Sequence, residues 1–193
     1  MKPGRSSPTA PSHGGCQDGW VPPVTRLVTL EDVPLLTELL RTNREFLAPW
    51  EPERDDHYFT VDGQRALVED ALARSAQGAM LPHVILGPTG DVVGRITLNG
   101  IVRAAFQSCS VGYWVDSASN GRGLATAAVG EITRVAFDEL GLHRVQAETL
   151  LHNHRSRRVL ERNGFAQIGV APDYLKIAGR WQDFALFQRV APG

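Results

Sequence analysis

The stretch from Ser119 to Val129, SNGRGLATAAV, places two glycines around an arginine, directly before small and apolar residues at helical spacing. Gly121 and Gly123 let the backbone turn its N–H groups inward, and the helix that begins near Leu124 brings the positive end of its dipole to the same place. Bare amides, one cation and a helix N-terminus together make an anion site, most naturally one for phosphate.

Two common phosphate-binding loops fit this stretch poorly. A Walker loop requires a lysine followed by serine or threonine after its second glycine, and no such lysine is present. A dinucleotide-binding fingerprint requires a third glycine, where Thr126 stands, and an early strand-helix-strand unit instead of one deep in the chain. The first loop is therefore excluded, and the second is weakly supported.

The composition is that of an ordinary globular protein. Of the 193 residues 42% are hydrophobic and 21% charged, and the formal net charge is -1, so no general affinity for nucleic acid or membranes is expected. The apolar runs fall short of the roughly 20 residues that cross a bilayer. We expect a flexible tail over residues 1–20, without the apolar stretch of a signal peptide, and one domain over residues 21–193.

The cysteines bear on the compartment. Cys16 lies in the expected tail and Cys109 in an apolar strand pattern, so a structural disulfide between them is not expected. This favours a reducing, cytoplasmic location.

Apolar periodicity and turn residues predict the order β-α-α-β-β-β-α-β-α-β-β, an α/β (α+β) mixed sheet with helices on its faces. Strands are expected at 24–30, 83–86, 92–98, 109–115, 143–150, 165–170 and 184–190. Helices are expected to begin at Glu31 and to cover 61–77, 124–140 and 154–162, the first burying Leu35, Leu36, Leu39 and Leu40. The segment 44–60 has no clear period, which is typical either of a functional loop or of a surface connection whose aromatics plug the core edge.

The glycine stretch and its surroundings resemble the Gcn5-related N-acetyltransferase (GNAT) family. Its pyrophosphate loop reads Gln or Arg, two residues, Gly, one residue, then Gly or Ala; here Asn120 departs from the first position, while Gly123 and Ala125 match. The resemblance covers roughly residues 24–190. It includes GYWV before the loop, NHRS at 153–156 and RRVLERNGF at 157–165. The chain is most similar to the RimJ and RimL branch, which acetylates the N-terminal amines of ribosomal proteins, through REFLAPWEP at 44–52.

The resemblance implies a mixed, mostly antiparallel sheet of six to seven strands with helices on both faces. It also implies acetyl-CoA as donor and direct attack of an amine on the thioester, without metal, and the histidines show no metal-ligand spacing. The expected acceptor is the N-terminal α-amine of a ribosomal or other protein. The alternatives are a small amine or antibiotic, or a non-catalytic acyl-CoA-binding module. A monomer or a homodimer is expected.

The resemblance further assigns the acetyl-CoA contacts. The strand with Trp114 and Val115 is expected to splay from its neighbour and leave a gap for the pantetheine arm, and Asn153 either meets that arm, caps its helix, or does both. The pyrophosphate is expected on the loop, at Asn120, Gly121, Arg122, Gly123, Leu124, Ala125 and Thr126. Arg122 either adds a charge-assisted bond or is solvated. The arginines 155, 157, 158 and 162 either meet the adenosine phosphate or an acidic protein surface, or form a solvated helix face.

Ser156 is the expected catalytic hydroxyl, placed near the thioester to protonate the departing thiolate or hold it through water; the alternative is an ordinary first-turn serine. The general base is left open between Glu148, at the strand bordering the gap, and Asp173, in a loop expected to face the substrate. Either can instead be a surface or ion-pair carboxylate. Phe46, Trp50 and Tyr174 are the expected substrate-binding residues.

The lack of an obvious catalytic His or Cys set bears on the acceptor. An α-amine has a pKa of about 7.7–8.0 against about 10.4 for lysine, so a far larger share of it is already neutral at pH 7. The sequence therefore mildly favours an N-terminal acceptor.

Overall fold

The computed structural model describes residues 23–193, and the expected tail and Cys16 lie outside these residues. Within these residues the strands form one sheet in the order β1-β2-β3-β4-β5-β7-β6, in which only the neighbours β4 and β5 run parallel. Their bounds are β1 Thr25–Leu27, β2 Leu81–Leu86, β3 Val92–Val102, β4 Ser108–Val115, β5 Arg144–Leu150, β6 Ala166–Ile177 and β7 Arg180–Val190.

The helices cover both faces of this sheet. They are α1 Val33–Thr42, α2 Arg44–Leu47, α3 Val61–Ala76, α4 Leu124–Arg134, continued by the π-helical turn Val135–Glu139, and α5 His154–Arg162. On one face Leu36 of α1 and Val68 of α3 are buried in one apolar cluster; on the other, Ile132 of α4 and Leu160 of α5 are buried in a larger one. The expected mixed sheet with helices on both faces is confirmed. No helix among residues 23–193 has the length and apolar character needed to cross a bilayer.

Helix α1 buries a different stripe from the expected one. Val33, Leu36, Thr37 and Leu40 are buried, whereas Leu35 is 43% exposed and Leu39 is only half-buried. The chain forms a separate 3-10 turn at Leu30–Asp32, which also shortens the first strand to Thr25–Leu27. The helix thus begins at Val33, and the buried residues lie at helical spacing counted from this position.

The segment expected to be irregular from residue 44 to residue 60 contains helical turns, so that expectation was partly wrong. Helix α2 follows directly on α1, and a 3-10 turn covers Asp56–Phe59. Asp55 caps this turn by accepting a hydrogen bond from the Tyr58 amide at 3.0 Å. An ion pair between Arg44 and Asp56, at 2.8 Å, ties the two turns together.

The last two strands are longer than expected, and they turn at Ala178–Gly179. Asp173 and Tyr174 consequently lie within β6, which corrects the expectation of a loop at Asp173. Pro172 has no N–H to donate, and the register shifts between Ala171 and Leu175. This bulge accommodates the Pro-Asp-Tyr sequence that reads as a turn.

Candidate functional site

Strands β4 and β5 are paired only at their first residues. Ser108, Cys109 and Ser110 face Arg144, Val145 and Gln146. Further along, β4 pairs only with β3 and β5 only with β7. The two strands therefore diverge, as expected, and leave backbone groups on their facing edges without a ladder partner.

A cavity of about 170 Å³, here the gap cavity, occupies this divergence. Its lining includes Leu47, Trp50, Glu51, Gly112, Tyr113, Glu148, Thr149, Asn153, Ser156 and Phe184. Residues from β4, β5, α5 and the segment after α2 thus meet at one point of the fold.

The glycine loop presents a row of free amides. Gly121 and Gly123 have φ values of 78° and 80°, and Gly123 is the N-cap of α4. Within residues 23–193, the N–H groups from Gly121 to Thr126 donate to no protein acceptor; the first helical bond runs from the Ala127 amide to the Gly123 carbonyl, at 2.9 Å. Consecutive unpaired amides at a helix N-terminus form an anion site.

A space of about 430 Å³, the loop pocket, lies over these amides. Arg155, Arg158 and Arg162 of α5 line it, and none of them forms an ion pair within the described part of the chain. Arg157 is directed elsewhere and donates to the Leu151 carbonyl and the Gln167 side chain. Three of the four arginines on α5 therefore add positive charge to the amide row, while Arg122 is exposed on the loop itself.

A larger space of about 780 Å³, the side channel, connects the loop pocket to the gap cavity. It shares Val115, Asn120 and Ala125 with the loop pocket, and Trp50, Tyr113 and Ser156 with the gap cavity. Neighbouring spaces share lining residues, so the three lie in a row from the free amides to the divergence of the strands, and this row is called the groove. Such a groove suits a long ligand with an anionic end.

Ser156 and Tyr113 meet where the side channel opens into the gap cavity. Their hydroxyl oxygens lie 2.9 Å apart and share a hydrogen bond. Asn153 caps α5 by accepting a hydrogen bond from the Ser156 amide at 3.1 Å, which fixes the position of the serine. Burial raises the pKa of Tyr113 to about 12, so its phenol stays protonated at neutral pH.

Two carboxylates line the gap cavity. Burial raises the pKa of Glu148 and also that of Glu51, where Arg54 and Arg95 partly oppose the effect. Within the described residues neither carboxylate forms an ion pair, and a hydrogen bond from its own backbone amide partly opposes the effect of burial on the pKa of Glu148. A desolvated carboxylate is both a stronger base and a site for a cationic ligand.

Comparison with known proteins decides the family. A model of the acetyltransferase (GNAT) domain matches residues 24–166. The chain belongs to this family. It is 36% identical over 151 residues to the probable N-acetyltransferase YjcK of Bacillus subtilis, with 78% of this chain and 83% of that protein covered.

Two further relatives place the acetyltransferase beside the RimJ branch, as the sequence predicted. It is 32% identical over 170 residues to the ribosomal protein uS5-alanine N-acetyltransferase of Escherichia coli, with 88% of both proteins covered. The structure of Mycobacterium smegmatis RimJ in complex with CoA-disulfide superposes with a TM-score of 0.84 and 32% identity, covering 86% of this chain and 81% of that one. The protein is an acetyl-CoA-dependent N-acetyltransferase of the GNAT type.

The acetyltransferase brings most of its predicted site residues to the groove. Trp114, Val115 and the loop residues other than Arg122 line one or more of the three spaces, and Trp50 and Phe46 line the side channel. The Trp114 side chain also packs against the α1 and α3 cluster.

Asp173 and Tyr174 are not brought to this groove. Both are exposed on β6, and neither lines the gap cavity, the side channel or the loop pocket. Asp173 has a φ of 47°, and its amide donates to the Asp183 carboxylate at 3.0 Å. The Tyr174 ring packs against that of Phe184, which lines the gap cavity, with the ring centroids 5.7 Å apart.

Sequence reasoning missed three residues of the acetyltransferase site: Tyr113, Glu51 and Asn43. Alternation in GYWV could have placed Tyr113 on the face opposite Trp114, towards α5. The sequence gave little reason to place Glu51 in the site, since an acidic residue between Trp and Pro is typical of an exposed position. Nothing in the sequence marked Asn43, which is fully buried.

Asn43 connects the end of α1 to the loop that leads into α4. Its amide nitrogen donates to the Asp116 carboxylate and to the Leu39 carbonyl, both at 2.8 Å. Its side-chain oxygen accepts a hydrogen bond from the Ser117 amide, also at 2.8 Å. The glycine loop is thereby held to the segment that carries Trp50 and Glu51.

Proposed function

We propose that this acetyltransferase modifies the N-terminal α-amine of a protein, a ribosomal protein being the leading class. The observation that carries the proposal is the gap cavity, where two unpaired carboxylates and the Tyr113–Ser156 pair line one space of about 170 Å³. The carboxylates can take a proton from an amine, and the hydroxyl pair can stabilise negative charge on a departing sulfur. The relative from Escherichia coli, which by its name is a ribosomal protein uS5-alanine N-acetyltransferase, supports a ribosomal protein as acceptor.

The groove fits acetyl-CoA by its donors. The amides from Gly121 to Thr126, together with Arg155, Arg158 and Arg162, would hold the pyrophosphate and the adenosine phosphate. The pantetheine arm would follow the side channel past Val115 and Asn153. When bound, acetyl-CoA supplies the activated acetyl group as a thioester.

The chain's own residues then accept the proton of the amine and stabilise the leaving group. Glu148 accepts the proton that the α-ammonium loses, and the freed nitrogen forms its bond to the thioester carbonyl carbon. The C–S bond breaks, and the Tyr113–Ser156 pair donates a hydrogen bond to the sulfur as negative charge develops on it. After the attack the nitrogen carries two protons; one leaves to solvent or to the thiolate, and the amide keeps the other.

Glu148→Gln tests the assignment of the base. Because an α-amine is partly neutral at pH 7, we expect a moderate loss of kcat/KM, about 10- to 50-fold. The base must be ionised, so wild-type activity rises with pH through the raised pKa of Glu148; in the variant the rise follows the acceptor amine alone. A pH profile of kcat/KM for both proteins measures this. An unchanged profile would remove Glu148 from the mechanism.

The acceptor class is tested by acetyl-CoA turnover on a panel of amines. At pH 7 we expect kcat/KM for a peptide with a free N-terminal alanine to exceed that for an N-terminally blocked lysine peptide by about 100-fold or more, because the neutral fractions of the two amines differ by a similar factor. Preference for an amine antibiotic would favour the small-molecule alternative. Binding of acetyl-CoA with no thiol released from any amine would favour a non-catalytic module. A ribosomal acceptor would place the activity in the cytoplasm.

A further inference from the structure

Helices α4 and α5 build the loop pocket together, each with a different kind of group. Helix α4 supplies the last of the free amides, at Thr126, and α5 supplies three arginines. The two helices pack on the same face of the sheet, where Ile132 and Leu160 belong to one apolar cluster. Apolar contact is not directional, so it fixes the spacing of two helices less sharply than a hydrogen bond does.

Asn163 makes a directional contact between these helices at the end of α5. Its side-chain nitrogen donates one hydrogen bond to the Thr126 carbonyl of α4, at 3.1 Å, and one to the Val159 carbonyl of α5, at 2.9 Å. A side-chain amide has two N–H donors, and each helix here receives one of them. Both acceptors belong to residues that line the loop pocket, whereas Asn163 lines neither this pocket nor the side channel or the gap cavity. Asn163 therefore joins the two walls of the pocket from behind.

Gly130 makes room for this contact. A Cβ built at Gly130 would lie 2.9 Å from the side-chain oxygen of Asn163, which is closer than such atoms normally approach each other. Gly130 lies about one turn after Thr126 on α4, so the amide plane of Asn163 rests on the face of the helix that supplies the carbonyl. Glycine inside a helix is less favourable than alanine, and the space that Asn163 occupies accounts for it here.

The turn that ends α5 does not itself require asparagine. Asparagine is common where the last residue of a helix adopts the left-handed conformation. Here Asn163 has a φ of −93°, and Gly164 takes the left-handed conformation at φ 73°. The Asn163 backbone amide donates to the Leu160 carbonyl at 3.0 Å, which any residue other than proline could do. The side chain is thus free of a role in the turn, and its contact with α4 remains to be explained.

The two ends of α5 are held by different contacts. Asn163 holds the end that carries the last arginines of the helix. At the other end Asn153 caps the helix, and Ser156 shares a hydrogen bond with Tyr113. Loss of the Asn163 contact would therefore let the arginines move relative to the amides of α4 while Ser156 keeps its place. Charge-assisted hydrogen bonds to phosphate are short and depend on geometry, so such a displacement weakens them.

We infer that Asn163 is a positioning residue for the binding of acetyl-CoA. It fixes α5 against the first turn of α4, so that the arginines of one helix and the amides of the other face the same phosphates. This rests on the proposed function, in which the loop pocket holds the phosphates of acetyl-CoA. Asn163 acts only through the two helices, and its contribution is confined to donors that carry the pyrophosphate.

Asn163→Ala removes both hydrogen bonds. We expect the Kd of CoA, measured by calorimetry, to rise about 5- to 20-fold, and kcat/KM with acetyl-CoA to fall by a similar factor while kcat changes less than about threefold. S-acetylpantetheine has the thioester and the pantetheine arm but no pyrophosphate, so kcat/KM with this donor should stay within about twofold of the wild type. An unchanged Kd of CoA, or an equal loss with both donors, overturns the inference.

Thr37→Val on α1 is the matched control for lost stability. It removes the hydrogen bond from a buried hydroxyl to the Val33 carbonyl, at 2.7 Å, and Thr37 lines none of the spaces of the groove. This variant should lower the melting temperature without changing the Kd of CoA or kcat/KM with either donor. A rise in the Kd of CoA in Thr37→Val equal to that in Asn163→Ala would assign the effect to stability and overturn the inference.

Gly130→Ala tests the same contact from α4. The added Cβ displaces the Asn163 amide, so the Kd of CoA should rise about fivefold or more, while the melting temperature stays close to that of the wild type because alanine favours the helix. In the double variant with Asn163→Ala the Cβ has no amide to displace. Its Kd should therefore equal that of Asn163→Ala alone, and a Kd raised by the product of the two single effects overturns the coupling.

The placement of acetyl-CoA is judged by the wild type alone. Equal kcat/KM for acetyl-CoA and S-acetylpantetheine would show that the loop pocket holds no phosphate, and the inference fails with that placement. A wrong acceptor class does not affect the measurement, since calorimetry with CoA needs no acceptor. In that case the Kd values of Asn163→Ala, Gly130→Ala and the double variant judge the inference.

Discussion

Gly123→Val is expected to weaken acetyl-CoA binding by more than about 100-fold, while Gly141→Val leaves it nearly unchanged. Gly123 is the left-handed N-cap of α4, at φ 80°, within the row of free amides. A branched side chain there disfavours the backbone conformation that turns those amides towards the loop pocket, and it also occupies the space that a pyrophosphate must approach. Loss of this one contact region removes the anchor of the ligand.

Gly141 supplies a control for backbone strain. It lies beyond the other end of the same helical stretch, at φ 62°, and a Cβ built there meets no heavy atom within 4 Å, as at Gly123. Both variants should therefore lose similar folding stability, about 1–3 kcal/mol. They should differ in ligand binding only.

The measurement is thermal unfolding with and without acetyl-CoA, together with calorimetry. At 100 times its dissociation constant, a ligand that binds only the folded state adds about 2.7 kcal/mol, or about 5–10 °C for a chain of this length. The wild type and Gly141→Val should show this shift, and Gly123→Val should not. A folded Gly123→Val protein with normal affinity would show that the loop does not hold the pyrophosphate, and an equal loss in both variants would assign the effect to strain.

The path of the fold followed from local signals because those signals are physical constraints on the backbone. Glycine punctuation and apolar periodicity predicted the strands around the groove, the start of α4 and the cap of α5 at Asn153. These local signals failed where two local structures were equally compatible with the sequence and tertiary contacts decided between them. Leu35 and Leu36 are both good core residues, and only the start of α1 at Val33 decides which is buried. Pro172 and Asp173 favour a turn, but pairing with β7 carries the strand through a bulge.

The candidate site was predictable to the extent that its function uses the backbone. The anion site depends on the free amides that Gly121 and Gly123 position, and glycines are visible in a sequence. Side chains that act in pairs across the sheet are not, since Tyr113 and Ser156 are 43 positions apart and meet only through the divergence of β4 from β5. Glu51 became a candidate only when its burial and its lack of a partner were known.

Ser156→Ala is expected to lower kcat by about 10- to 1000-fold with little change in acetyl-CoA affinity. The helix should be unaffected, because Asn153 caps it through the Ser156 amide and not through the hydroxyl. Ser75→Ala, on α3 and away from the groove, is the matched control. In the proposed mechanism the removed hydroxyl bonds the sulfur chiefly as it becomes a thiolate, so its loss should appear in kcat.

The pair should stabilise the thiolate by hydrogen bonding and not by giving up a proton. Tyr113 has a pKa of about 12, whereas a thiol has one of about 8.5, so full transfer from the phenol to the sulfur is uphill by several pKa units. The loss in Ser156→Ala should therefore be nearly constant from pH 6 to pH 9.

Tyr113→Phe should lower kcat less, about 3- to 10-fold, because it removes only the bond that orients the serine. The double variant should resemble Ser156→Ala alone. Steady-state kinetics with an alanine peptide from pH 6 to pH 9 measures kcat for each variant, and calorimetry measures the affinity for CoA. A kcat within twofold of the wild type in Ser156→Ala would make Ser156 an ordinary helix residue, and a larger loss in Tyr113→Phe than in Ser156→Ala would show that the phenol itself contacts the sulfur.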